Sequence, residues 1–314
     1  MASVFDAVDI NRTKILLGGD QDQLPSVGPG AILRDFLNSG AIPHAELTKT
    51  FRNCGEIVRV CHMIKAGSVY EPQKKLDLGA DDPINLIHIE RSTPEKTKEA
   101  VVGLVTKIMP GKGFDPIDDI QVISPVNESG LLSCKSLNEV LQEKLNPIPG
   151  NIVFDDENIW TYKFRKGDRV INTKNTNVTT TDGREDAIVN GDLGIVQYVG
   201  KKNLTVLFSD GSKKDERWVT ISRSDENLLH AYAITCHRFQ GSEAPVIIVP
   251  IHRQFDLFLS RSWIYTALSR GKAVVITVGR WGSVEKAILN TRSTNRYTML
   301  TEEIHRAEDE LNDI

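Results

Sequence analysis

An α/β fold on a parallel sheet, interrupted by a small β-rich module, is what this 314-residue sequence predicts. Three observations predict it. Short apolar runs alternate with helical stripes: KILLGG (14–19), INLIHI (84–89), IQVIS (120–124), VIIVPI (246–251) and AVVITV (273–278) read as strands, most of them covered on both faces. Between about 164 and 224 the pattern changes to brief β runs separated by turns. The α/β alternation then resumes.

The elements follow in order. KILLGG is stopped by Gly-Asp, and the loop DQDQLPSVGPG (20–30) leads to apolar positions 32, 33, 36 and 37, a helical stripe ended by Gly40. LTKTF (47–51) is a further short strand. Residues 56–65 form a helix with Gly67 beyond it. The polar, turn-rich stretch 68–83 marks a domain boundary at about 75. Ser92-Thr-Pro-Glu95 has the spacing of a capping box with Pro in the first turn, so a helix is expected from there to about Met109. Residues 136–145 form another, stopped by Asn146-Pro147. RVINT (169–173), GIVQYV (194–199) and LTVLF (204–208), with Asp182-Gly183, Asn190-Gly191 and Asp210-Gly211 as turns, suggest a small β-barrel. SRSWIYTALSR (260–270) is a helix between the last two strands.

Composition narrows the function. Thirty-eight Lys and Arg stand against 42 Asp and Glu, a net charge of −4, which excludes a generally basic nucleic-acid binder but not a local basic groove. Four cysteines without a C-x-x-C pair argue against a disulfide scaffold or a zinc ribbon. Cys54 and Cys61 are expected in the core rather than on a metal. No apolar run approaches the roughly 20 residues of a membrane span. The N-terminus has no secretory signature, so no membrane is expected and the cytoplasm is the expected compartment.

Several polar residues sit where chemistry is done in such folds. Asp20 and Gln23 follow a strand end, the edge at which open α/β sheets bind ligands. A carboxylate there can hold a metal through water and an amide can position a water, although alone both read as turn residues. Arg52 and Arg270 would each be a surface arginine in isolation; paired across a cleft they could neutralise a transferring phosphoryl group. His237, Gln240, Gly241, Ser242 and Glu243 form a polar turn before a buried strand. No G-x-x-x-x-G-K-[ST] occurs; GPGAIL and MPGKGF lack its end.

Taken in order, these segments resemble the C-terminal two thirds of a superfamily 1 DNA helicase motor of the RecD-like, 5′→3′ branch. GGDQDQLPSVGPG (18–30) resembles motif III, LTKTFRN (47–53) motif IV, AYAITCHRFQGSE (231–243) motif V and YTALSRGK (265–272) motif VI. ISPVNESGLLSCKSLNEVLQEKLNP (123–147) resembles the start of the second motor domain, and GDRVINTKN with VNGDLGIV the SH3-like insertion.

The resemblance implies RecA-like P-loop NTPase motor domains: an incomplete first one over 1–75 and a second over 76–163 and 225–314. The inserted SH3-like barrel would span 164–224. It also implies roles. Gln23, Arg52 and Arg270 would act at the ATP γ-phosphate, with Arg270 as arginine finger. Asp20, Gly241 and Glu243 would face the nucleotide, and Ser124, Thr235 and His237 would hold single-stranded DNA. Arg238-Phe239 departs from the family's Lys-Ser, and Asn127-Glu128 from a more basic pair. Met1 aligns just after the family's Walker B acids, so the chain is expected to lack the phosphate loop, its lysine and both metal-binding carboxylates. ATP and Mg²⁺ would then be used only in a complete motor, with a P-loop-containing N-terminal segment or chain as partner. The competing reading is a non-catalytic single-stranded-DNA-binding or partner-binding module.

Overall fold

The computed structural model describes residues 2–9, 11–26, 28–47, 54–148, 163–209, 216–292 and 296–312. They fall into two compact units, Met1–Thr48 with Arg292–Ile314, and Lys49–Thr291.

The first unit holds helices α1 (Ala2–Ala7) and α2 (Ile32–Ser39) and the C-terminal helix Leu300–Asn312. Helix α2 ends, as its sequence predicts, on a left-handed Gly40 (φ +70°). It packs on the C-terminal helix, and buried Asp35 accepts a hydrogen bond from the Thr298 hydroxyl at 2.7 Å. Arg296 donates to the carbonyls of Ser26, Gly28 and Gly30 at 2.7–2.8 Å, fixing the turn before α2. Two strand expectations need correction or fall away. Lys14–Gly19 has no regular secondary structure and joins no ladder, and Leu16 is 96% exposed. A strand exists only through a ladder, and no described residue of this unit forms one. Of LTKTF, Leu47 is not in a strand and is 95% exposed, and the rest lies outside the described residues.

The second unit is built on a parallel sheet. Helix α3 (Gly55–Lys65) precedes it and belongs to this unit. The strands are β1 (Leu86–Glu90) and β2 (Ile120–Ser124), flanked by α4 (Pro94–Gly103) and α5 (Cys134–Leu145). Helix α4 runs on through a π turn at Leu104–Ile108. Its cap is Thr93, one residue later than the expected Ser92: the Thr93 hydroxyl accepts from Lys96 N at 3.3 Å.

Seven strands of the β-rich region come next. They are β3 (Arg169–Asn172), β4 (Thr176–Thr179), β5 (Glu185–Ile188), β6 (Leu193–Val199), β7 (Asn203–Phe208), β8 (Arg217–Ser222) and β9 (Leu228–His230). Five pair antiparallel in the order β8-β7-β6-β3-β9, and β4 with β5 forms a hairpin. Their inward residues, among them Val170, Val196, Val206, Phe208 and Val219, make a core of their own together with Phe164, which precedes β3. The chain returns to the parallel sheet with β10 (Ala233–Thr235) and β11 (Ala244–Ile251). Helix α6 (Arg261–Leu268), β12 (Gly271–Gly279) and α7 (Trp281–Leu289) complete it. The strand order is β1-β12-β11-β2-β10, every pairing parallel. Strands β2, β11 and β12 are the continuous apolar runs of the sequence, and both faces are covered.

A buried polar seam joins the two sheets. Asp168, fully buried, accepts from Gln142 Nε2 (2.5 Å), Asn146 Nδ2 (2.7 Å), Arg165 N (2.7 Å) and the Tyr232 hydroxyl (2.9 Å). It also pairs with His230 at 3.3 Å. Arg169 donates across the seam to the carbonyls of Ile117 and Ile120, and burial lowers its pKa to about 10. Helix α5, β10 and the antiparallel sheet are thereby fixed to one another.

One glycine closes the far side of the sheet. Gly279 ends β12 at φ +135°, and a Cβ there would meet the Ile251 carbonyl oxygen at 1.8 Å. Gly279→Ala should therefore cost about 2 kcal/mol or more, read as a lowered urea midpoint with an unchanged slope. An unchanged midpoint would show that the strand end relaxes freely.

Candidate functional site

The parallel strands set two edges, and one loop joins them. At the C-terminal edge, Thr235 of β10 stands in register with Ser124 of β2. Past Thr235 the chain turns back to start β11, with Phe239 N on the Thr235 carbonyl (3.1 Å), Gln240 N on that of His237 (3.3 Å) and Ser242 N on that of Phe239 (3.1 Å). Cys236 and Phe239 point into the core, while His237, Gln240, Gly241 and Glu243 are exposed. Burial pushes the Cys236 thiol up to about 12, so it is an inert packing group. His237 is exposed by surface area, yet desolvation of the ring by its neighbours lowers its pKa, which favours the neutral, hydrogen-bonding form. Gly241 has φ +90° with open space around it, a conformation that favours glycine.

Ser124 does not present itself at this edge. It is fully buried, and its hydroxyl donates to the Leu132 carbonyl at 2.6 Å. Through that bond Ser124 braces the loop 125–133. That loop is pinned further by Cys134 N on the Val126 carbonyl and Lys135 N on the Asn127 carbonyl. Arg238 NH1 donates to Asn127 Oδ1 at 3.3 Å. The sequence departs from the family pattern at both Arg238 and Asn127, and the two departures are each other's partners.

At the opposite edge, Ala244 of β11 pairs with Gly271 of β12, and Ala244 N donates to the Arg270 carbonyl at 3.1 Å. Arg270 follows α6, whose N-cap Ser260 accepts from Trp263 N. Its side chain is 3% exposed, with Nε on the Thr266 carbonyl (3.3 Å) and NH1 on the Ser242 carbonyl (3.4 Å). Glu243 forms an ion pair with Lys272, a partner the sequence reading did not single out although it lies in the YTALSRGK motif. Gly241, Ser242, Glu243 and Arg270 are thus one group at the N-terminal edge, and Thr235 and His237 another at the C-terminal edge. The single turn 236–243 carries residues of both.

Asp20 and Gln23 lie in the first unit and make a turn of their own. Asp20 Oδ1 accepts from Asp22 N at 3.0 Å and Oδ2 from Gln23 Nε2 at 3.1 Å, so the carboxylate orients the amide. Arg52 lies outside the described residues. Among the described residues no three His, Cys, Asp or Glu side chains gather as a metal site. Cys61 is buried as expected, but Cys54 is exposed, because it precedes α3 at the surface.

Residues 230–278 match the UvrD-like helicase C-terminal domain, and residues 1–82 an AAA domain. The chain is 30% identical over 93% of its length to an ATP-dependent RecD2 DNA helicase of Deinococcus radiodurans, covering 36% of that protein. It is 26% identical over 92% of its length to the RecBCD enzyme subunit RecD of Mycolicibacterium smegmatis, covering 49% of it. It therefore spans between about a third and a half of the length of these relatives. A crystal structure of a Bacteroides Pif1 helicase with ADP-AlF3 and single-stranded DNA aligns with a TM-score of 0.40 at 19% identity, over 93% of this chain and 66% of that one.

Proposed function

We propose that this chain, homologous along nearly its whole length to RecD-type helicases, is the C-terminal part of an ATP-dependent 5′→3′ DNA helicase or translocase. The observation that carries the reading is the turn 236–243. It hangs Thr235 and His237 on one edge of the sheet and Gly241, Glu243 and the Arg270 contact on the other. A displacement at one edge is then a displacement at the other, which is what a motor needs to turn nucleotide state into strand movement.

The chain's own residues divide the work. Thr235 and His237 offer neutral hydrogen-bonding groups at the end of β10, suited to a nucleic-acid backbone without reading sequence. Arg270, which donates to the Thr266 and Ser242 carbonyls, supplies a guanidinium able to pair with a phosphate oxygen. Glu243, held by Lys272, lies beside it for a nucleotide ribose. Gln23, oriented by Asp20, would serve the attacking water, and Arg52 a second cation at the γ-phosphate. ATP with Mg²⁺ would supply the phosphoryl group and its counter-charge. In this reading the antiparallel module is the family's SH3-like insertion, and the first unit is part of the first RecA-like domain.

The test is ATP turnover. The chain alone should show none above background with single-stranded DNA, whereas addition of a P-loop-containing N-terminal segment should give DNA-stimulated hydrolysis. Silence in both assays with DNA binding retained would favour the binding-module reading instead. Turnover by the chain alone would overturn the account of the missing phosphate site.

A further inference from the structure

Strand β10, which ends on Thr235, is three residues long and lies at the edge of the parallel sheet. It pairs with β2 on one side. Among the described residues no strand pairs with its other side, yet Ala233 is fully buried. A side chain stands where the next strand would be. Asn138 of α5 accepts from Ala233 N at 2.8 Å through Oδ1, and its Nδ2 donates to the Ala233 carbonyl at 2.8 Å. The same Nδ2 donates to the carbonyl of His230, the last residue of β9, at 3.2 Å. We infer that Asn138 is a positioning residue for the strand-gripping end of β10 and acts through Thr235. The inference rests on the reading of Thr235 and His237 as nucleic-acid contacts given above.

A carboxamide suits this place because it carries an acceptor and two donors, as a strand's backbone would offer, and here all three are engaged. Ala233 is two residues before Thr235, so their backbone groups face the same side of the strand. The Thr235 carbonyl takes Phe239 N at 3.1 Å and so starts the turn 236–243. From the β2 side, Gln121 Nε2 donates to the carbonyls of Ala231 and Tyr232, each at 3.2 Å. Two buried amides therefore grip the chain as it enters β10. Helix α5 is capped by Ser133, so the element that carries Asn138 also ends the loop 125–133 beside Ser124, the register partner of Thr235. Without the Asn138 amide, Ala233 keeps a buried donor and a buried acceptor with nothing to meet them. A three-residue strand has few other bonds to hold its place. Its end then moves, and Thr235 moves with it.

The test uses the whole chain, hydrogen exchange read by mass spectrometry and a labelled oligo(dT) followed by anisotropy. Asn138→Ala should speed exchange over residues 233–235 about tenfold or more while β11 and β12 stay protected. It should weaken the oligonucleotide about fivefold or more. Asn138→Asp has nearly the same size and keeps the acceptor but loses both donors, and should weaken it at least as much. Two comparisons separate positioning from stability. Gly279→Ala destabilises the same sheet at the end of β12, with β11 and β2 lying between it and β10, and should leave the affinity within about twofold. In a Thr235→Ala chain, Asn138→Ala should add less than about twofold, since the group it positions is gone. Equal losses in both backgrounds overturn the proposal. So does unchanged exchange at 233–235, or parent-like affinity of Asn138→Ala where Thr235→Ala is weakened. The nucleic-acid reading fails by a different sign: a parent chain that binds no oligo(dT), or Thr235→Ala and His237→Ala both binding as the parent does, removes that reading and the positioning role with it.

Discussion

Arg270→Ala, in the chain complemented with a P-loop-containing segment, is expected to lower DNA-stimulated ATP turnover about a thousandfold or more, the scale of arginine-finger losses. The fall should appear in kcat, with KM for ATP little changed, because the guanidinium matters where charge develops. Arg270→Lys should recover little of it, since an ammonium cannot reproduce the fork. The arginine has a structural role as well: it donates to the Thr266 and Ser242 carbonyls, so its loss should cost roughly 1–3 kcal/mol of stability. That cost leaves a unit of this size folded at assay temperature, which a thermal melt checks. Single-stranded DNA affinity should change far less than turnover. Turnover within tenfold of the parent in a folded Arg270→Ala chain would remove Arg270 from the phosphoryl-transfer machinery. It would leave the arginine as a brace between α6 and the 236–243 turn.

The second unit was the legible part of the sequence, and the reason is physical. Strands β2, β11 and β12 are buried on both faces, so their apolar runs have no polar alternation to blur them. Turns at Asp182-Gly183 and Asn190-Gly191 announce themselves because only glycine takes φ of +85° and +102° there without strain. The first unit was misread at Lys14–Gly19 for the complementary reason. An apolar run states what could be buried, and pairing depends on what lies beside it. Motif order and spacing located the polar residues of the turn 236–243, yet not their partners. The Glu243–Lys272 and Arg238–Asn127 contacts join residues 29 and 111 positions apart, and no local pattern encodes them. Ser124 shows the converse: a motif position fixed its place at the strand end, while its burial came from the loop 125–133 folding over it.

Asp168 is where the sequence reading was silent and the second-largest effect is expected. Its carboxylate gathers Gln142, Asn146, Arg165 N, Tyr232 and His230, which come from α5, the antiparallel module and the return to β10. Asp168→Ala would leave several buried donors without an acceptor, for a loss of about 3–5 kcal/mol at neutral pH. That corresponds to a fall in Tm on the order of 10 °C for a unit this large. Burial by itself would raise the pKa of this carboxyl. Hydrogen bonds from His230, Arg165 N and Asn146 outweigh it and hold the group below the ordinary carboxylate value. A depressed folded pKa contributes stability that is present above the unfolded value of about 3.9 and disappears as pH falls through the folded one. The gap between parent and Asp168→Ala should therefore be full at pH 7 and narrow below about pH 4, as read in urea melts at each pH. A gap that stays constant down to pH 3 would mean that packing, not charge, ties the module to the parallel sheet. If the Asp168→Ala chain also loses Thr235-dependent DNA binding while still folded, the seam does more than hold the module in place. It then sets the position of β10, because Tyr232 lies one residue before that strand and donates its hydroxyl to Asp168.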